Sequence, residues 1–184
     1  MILSANQPYF APFPGFFYKA YRSDLFVILD DVQFPQGTTW ISRNRFKSHQ
    51  GALWITVPVW KKGLGLQKIS EVRICHEGRW AKKHLESLKT AYKKAPYLPE
   101  HLEFLEEIFS EKNDRLGELN VAVIRYLMRA LTIQTKLVLL SDLDIPSAGT
   151  VDWWTFAQNL VLLNSLLNRR QRNSLTRSSF RMKE

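Results

Sequence analysis

Apolar and polar positions along the chain alternate short strands with helices. Met1 to Asn6 reads as a short buried strand. Gln7 to Gly15 carries Pro8, Pro12 and Pro14 and predicts a loop, because proline fixes φ and disfavours helix in the residue before it. A helix starts near Gly15, runs through Phe16, Phe17, Ala20 and Tyr21, and stops around Ser23–Asp24. Leu25 to Leu29 is a continuous apolar run flanked by charge, the pattern of a strand buried on both faces. Strand, helix and buried strand within about 30 residues make one βαβ unit, with a right-handed crossover and a sheet that is at least partly parallel.

Further on, the pattern is mixed. Asp30 to Gln50 is polar and aromatic, Ala52 to Val59 is a strand with Pro58 near its end, and Lys61 to Gln67 is a Lys/Gly loop. Ile69 to Ile74 is expected to be a half-buried strand. Trp80, His84, Leu88 and Tyr92 recur at i,i+4 and predict a helix over 80–94, broken by Ala95-Pro96-Tyr97-Leu98-Pro99. Two more amphipathic helices follow at Glu100 to Phe109 and Leu116 to Leu131, then a strand at Lys136 to Leu140.

Composition narrows the class. At 184 residues, 45% of them apolar, the chain has the material for one domain with a real core. A single cysteine, Cys75, forbids an internal disulfide, and no apolar run approaches the ~20 residues that span a bilayer. With no signal-peptide pattern at the start, a cytoplasmic protein is expected. The formal charge of +9 would suggest nucleic acid, but its distribution argues otherwise. Residues 168–184 hold six basic side chains against one acid, a net +5, and leave only +4 to the other 167 residues.

Three elements carry candidate chemistry. The loop Gln7-Pro8-Tyr9 to Gly15 stands between a strand end and a helix start, where ligands of open α/β sheets bind. Gln7 would read an amide or hydroxyl, Tyr9 would stack on a planar ring, and the helix start beyond Gly15 suits an anion. The aromatics could equally be core. Next, Asp30-Asp31-Val32-Gln33 ends the buried strand, and one carboxylate is expected to face the cleft while the other caps or pairs. Last, Trp40-Ile41-Ser42-Arg43-Asn44-Arg45-Phe46-Lys47 alternates three cations, which share a face if the segment is extended and would suit phosphate. The plain reading of that cluster is a charged edge strand. Cys75-His76 lacks metal-ligand spacing, His84 lies on an apolar stripe, and no Walker loop, zinc signature or nucleophile elbow occurs.

In this order and spacing, these elements resemble the WbqC-like family. The motifs are Gln7-Pro8-Tyr9 with Gly15-Phe16-Phe17, then Asp24 to Phe34, Trp40 to Phe46, Trp54-Ile55-Thr56-Val57-Pro58-Val59, and Tyr92-Lys93-Lys94-Ala95-Pro96-Tyr97. The resemblance covers residues ~2–149. It implies an enzyme of bacterial O-antigen, lipopolysaccharide or other surface-glycan biosynthesis, with a transferase as the open expectation. Asp30 and Asp31 are then the catalytic candidates. Gln7, Pro8, Tyr9, Gly15, Gln33, Trp40, Arg43, Asn44, Arg45 and Lys47 are the substrate-binding candidates. The substrate would be a small molecule or nucleotide-linked sugar. The cofactor stays open, a nucleotide with or without a divalent metal being the candidate, and no residues are assigned to a metal. A weaker likeness to HIGH-type nucleotidylyltransferases implies a mostly parallel, Rossmann-like sheet with flanking helices, but their histidines have no counterpart in this loop. The competing class is a nucleic-acid-binding module built on Arg43, Arg45 and Lys47.

After Gly149 the motifs stop. Read one base earlier, the codons of Asp152 to Thr155 spell Leu-Val-Asp whatever synonyms are used, because tryptophan has a single codon. A changed reading frame near Thr150 is therefore expected, with the family's C-terminal part truncated or replaced. Residues 1–149 would be the domain. Residues 150–167 would be a non-family apolar segment, able to self-associate through 153–167. Residues 168–184 would be a basic, disordered tail.

Overall fold

A computed structural model describes residues 2–110 and 113–143. Residues 150–167 and 168–184, set apart above, lie outside the described residues, as do 144–149. Among the described residues the protein is mixed α/β, with a parallel three-stranded sheet, an antiparallel hairpin and four α-helices.

The expected βαβ unit is present. β1 (Leu3–Asn6) leads through α1 (Pro14–Tyr21) to β2 (Leu25–Ile28), which pairs parallel to β1 with Leu3 opposite Leu25. All four residues of β2 are buried, as a central parallel strand requires. Its other neighbour is the last strand, β5 (Lys136–Leu139), also parallel, giving the order β1-β2-β5. Everything between β2 and β5 is therefore one long crossover. It contains the hairpin of β3 (Arg43–Ser48) and β4 (Gly51–Thr56), then α2 (Trp80–Tyr92), α3 (Leu98–Ile108) and α4 (Leu116–Ala130).

One expected strand is absent. Ile69–Glu71 forms a 3₁₀ turn, followed by isolated bridges from Arg73 to Arg115 and from Ile74 to Val59. The apolar positions explain it. Ile69 and Val72, both fully buried, are three residues apart, and side chains at i and i+3 eclipse in a 3₁₀ turn. Only Val72 and Ile74 keep the two-residue spacing of a strand.

α4 organises the interior. Leu116, Leu119 and Val123 pack into a core with Phe10, Ile41, Ile55, Ile69 and Val72. Val121, Ile124 and Met128 pack into a second core with Phe16, Phe17, Phe26 and Ile28. Phe16 anchors the second core, edge-on to Phe17 at 5.3 Å and to Phe26 at 5.1 Å. No described helix is long and apolar enough to cross a membrane.

His84, on α2, has Nε2 3.0 Å from the Thr56 carbonyl at the end of β4. Desolvation holds its pKa below the ordinary histidine value, against an opposite pull from that carbonyl. The unfolded chain therefore takes up the proton first, near pH ~6.5, and the fold loses stability as pH falls below that point. Urea titrations at pH 7.5 and 5.5 should show this loss, and His84→Gln should make the dependence shallower. An unchanged slope would remove the histidine from the account.

Candidate functional site

The loop after β1 and the segment before β3 are built against each other. The Phe10 N–H donates to the Trp40 carbonyl at 2.9 Å. Asn44 Nδ2 donates to the carbonyls of Phe10 at 3.0 Å and Ala11 at 2.7 Å, while its Oδ1 accepts the Arg45 N–H. From behind, Asn120 on α4 donates through Nδ2 to the Pro8 and Ile41 carbonyls, both at 2.7 Å. Asn120 has no exposed surface, and its Oδ1 has no partner. Two carboxamides thus tie residues 8–11 to residues 40–45.

This clasp holds a strained residue. Ala11 has φ of +43°, a left-handed conformation that costs a residue with a Cβ about 1–3 kcal/mol. The carbonyl that this turn exposes is one of those Asn44 holds. Gly15 serves the same loop. A Cβ there would lie 2.6 Å from the Phe13 ring, so glycine lets that ring fold back over the helix start. With Pro14 at the first helical position, the helix offers an anion one N–H fewer than most.

Between the tied segments lies a cavity of about 410 Å³, lined by Tyr9, Pro12, Phe13, Trp40, Asn44 and Arg45. Its Trp40 wall ends a stack of rings and cations on the outer face of the hairpin. Trp40 and Trp54 stack at 5.8 Å, with both indoles exposed by more than 40%. The Arg43 guanidinium sits 4.2 Å from the Trp54 ring centre, and Arg45 lies 5.6 Å from Trp40 and 5.7 Å from Trp54. The strand geometry makes this possible. Arg43, Arg45 and Lys47 share one face of β3, and Arg45 pairs across the ladder with Trp54.

The structure therefore brings Tyr9, Trp40, Asn44 and Arg45 together, with Pro8 buried behind them and Arg43 one step along the stack. Asn44 acts through the loop it holds, since both its donor bonds go to backbone. Lys47 is exposed on the arginine face, Gln7 is half-buried, and neither lines the cavity. Gln33 is exposed and bridges to Lys68.

The two carboxylates are placed otherwise than expected, for neither lines the cavity. Asp30 is buried and turned towards β5, where it accepts the Ser141 N–H at 3.0 Å and the Ser141 hydroxyl. Asp31 pairs with Lys68 at 2.8 Å, and this hydrogen bond raises the lysine's pKa. Both carboxylates thus bind the end of β2 to its neighbours. Among the described residues no cluster of three or more His, Cys, Asp or Glu could hold a metal.

Asn120 and Ala11 escaped the sequence reading. Ala11 left no signal. Asn120 left one, a polar residue set one turn from both Leu116 and Ile124 in a helix stripe that is otherwise apolar.

The loop after β1 and the segment leading into β3, tied together with an aromatic cavity and an arginine between them, belong to a mixed α/β protein. The chain belongs to the WbqC-like protein family, whose model matches residues 7–180. That match extends past Gly149. The chain is similar to the uncharacterized protein Rv1507c of Mycobacterium tuberculosis, at 35% identity over 146 residues. The alignment covers 78% of this chain and 62% of the relative, so this chain spans about three fifths of that protein's length. No solved structure matches significantly.

If Asn120 is the clasp, Asn120→Leu leaves two buried carbonyls unpaired and should cost about 1–3 kcal/mol in urea unfolding. Asn120→Asp should also destabilise, by turning an acceptor on two acceptors. Asp30→Ala should cost a similar amount by releasing Ser141. Wild-type stability in Asp30→Ala would show that this bond does not hold the fold.

Proposed function

We propose that the cleft between the Tyr9 loop and the Trp40–Arg45 segment binds a nucleotide-linked or otherwise activated sugar, and that the protein is an enzyme of bacterial surface-glycan assembly, such as O-antigen biosynthesis, working in the cytoplasm as a transferase. The observation that carries this reading is the composition of the cavity wall. Tyr9, Phe13 and Trp40 supply flat apolar faces, and Arg45 supplies the one fixed charge, a cation. A planar ring bearing phosphate fits that combination: the ring stacks on the indole and the phosphate meets the guanidinium. The parallel order β1-β2-β5 agrees with a Rossmann-like core of the nucleotidylyltransferase type, in which ligands sit beyond the carboxyl ends of the strands.

Within this reading Asn44 and Asn120 hold the walls, and Gln7 and Lys47 stand outside the first contact. Asp30 or Asp31 takes a chemical role only if ligand binding frees it from Ser141 or Lys68. Catalysis through either is therefore coupled to movement at the end of β2.

A second reading draws on the ring and cation stack, since interleaved tryptophans and arginines also suit single-stranded nucleic acid. Salt dependence separates the two. Nucleic-acid affinity should fall steeply with salt and should survive removal of residues 168–184.

A nucleoside diphosphate or nucleotide-sugar at one hundred times its Kd should stabilise the protein by about 2.7 kcal/mol, visible as a rise in Tm. Arg45→Ala should abolish the rise, and Trp40→Ala should reduce it. No shift with any nucleotide would remove this reading, and a shift kept in Arg45→Ala would move the site elsewhere.

A further inference from the structure

On the other side of the hairpin lies a second space of different chemistry. β3 turns Phe46 inward where it turns Arg45 outward, and Phe46 lines a groove of about 370 Å³ closed by Leu88, Phe104, Leu105 and Val123. Phe10 and Ala11 line it too, so the loop that walls the aromatic cleft also walls this groove.

Three of its polar side chains are already engaged. His101 Nδ1 and the Tyr126 hydroxyl bond each other at 2.7 Å, and the Tyr92 hydroxyl accepts the Lys47 N–H. None of the buried unpartnered polar atoms among the described residues belongs to its lining. Water needs two to four polar partners to be held in such a place, and this lining offers almost none. Hydrocarbon loses nothing there.

Two cations adjoin its lining in the chain. Tyr92 and Ala95 both line it, and the two residues between them are exposed lysines, Lys93 and Lys94. Neither lysine has an ion pair among the described residues. The size argues for a small occupant: 370 Å³ lies within the range of small-ligand pockets, whereas a docked helix is about 10 Å across.

We infer that this groove holds the hydrocarbon chain of a free, single-chain anionic amphiphile, with its head group at Lys93 and Lys94. This site is separate from the sugar-nucleotide cleft and stands or falls without it.

Dodecyl phosphate, kept below its micelle concentration, is the probe for titration calorimetry on the full chain. It should bind saturably, one per chain, while inorganic phosphate alone should not bind. Lys93→Glu with Lys94→Glu, both at exposed positions, should weaken dodecyl phosphate at least tenfold and leave neutral dodecyl maltoside unchanged. Ala95→Trp, which fills the mouth of the groove, should weaken both amphiphiles. The inference is overturned if neither amphiphile binds, or if Ala95→Trp binds both as the wild type does. It is also overturned if the lysine variant keeps full affinity for dodecyl phosphate. Two further results would overturn it: a dimer in sedimentation that Ala95→Trp dissociates, which makes the occupant a second copy, or binding to phosphatidylglycerol vesicles with no affinity for the monomeric amphiphile.

Discussion

The candidate site depends on one buried carboxamide. Asn120 sits on α4 where that helix passes from one core to the other, and it gives both its N–H donors to backbone carbonyls far away in sequence. Those carbonyls, at Pro8 and Ile41, belong to the two segments that wall the cleft. A side chain with one donor could hold only one of them, and an apolar one would strand both. Asn44 repeats the device from the front, holding Phe10 and the strained Ala11. The cleft is thus an opening between two loops held together by these bonds, by the Phe10–Trp40 backbone bond and by the core that Phe10 and Ile41 share.

The same clasp explains why neighbouring spaces differ so much in chemistry. β3 alternates its faces, so Arg43 and Arg45 go out to the tryptophans while Phe46 goes in to the helices. The loop at residues 10–13 divides in halves, with Phe10 and Ala11 lining the groove and Pro12 and Phe13 the cleft. One alternating strand and one divided loop separate an aromatic, cationic space from an apolar one. Membership of the WbqC-like family and the likeness to Rv1507c place this arrangement in a family without assigning a reaction to it.

The carboxylates show where local reasoning ran short. Asp30-Asp31 at a strand end suggested one acid facing the cleft and one that caps or pairs, but both are paired, Asp31 with Lys68 and Asp30 with Ser141. The partner of Asp30 was not legible. Asp30 meets Ser141, more than one hundred residues on, because β5 inserts beside β2, and no local pattern announces which strand will lie next to a buried one. The expected strand at Ile69–Ile74 failed for a related reason. Spacings of three and of two both occur there, and packing beneath α4 selected the turn.

What the sequence determined by itself is local: prolines that stop helix, an apolar run that must be central, a period of two that puts Arg43 and Arg45 on one side, and family motifs in order. Each follows from the conformational limits of neighbouring residues. Tertiary structure alone decided which loops meet, that Asn120 joins them, and that the acids face Ser141 and Lys68 instead of the cleft. Those outcomes depend on contacts between residues distant in the chain, whose partners become known only once the strands have found their order.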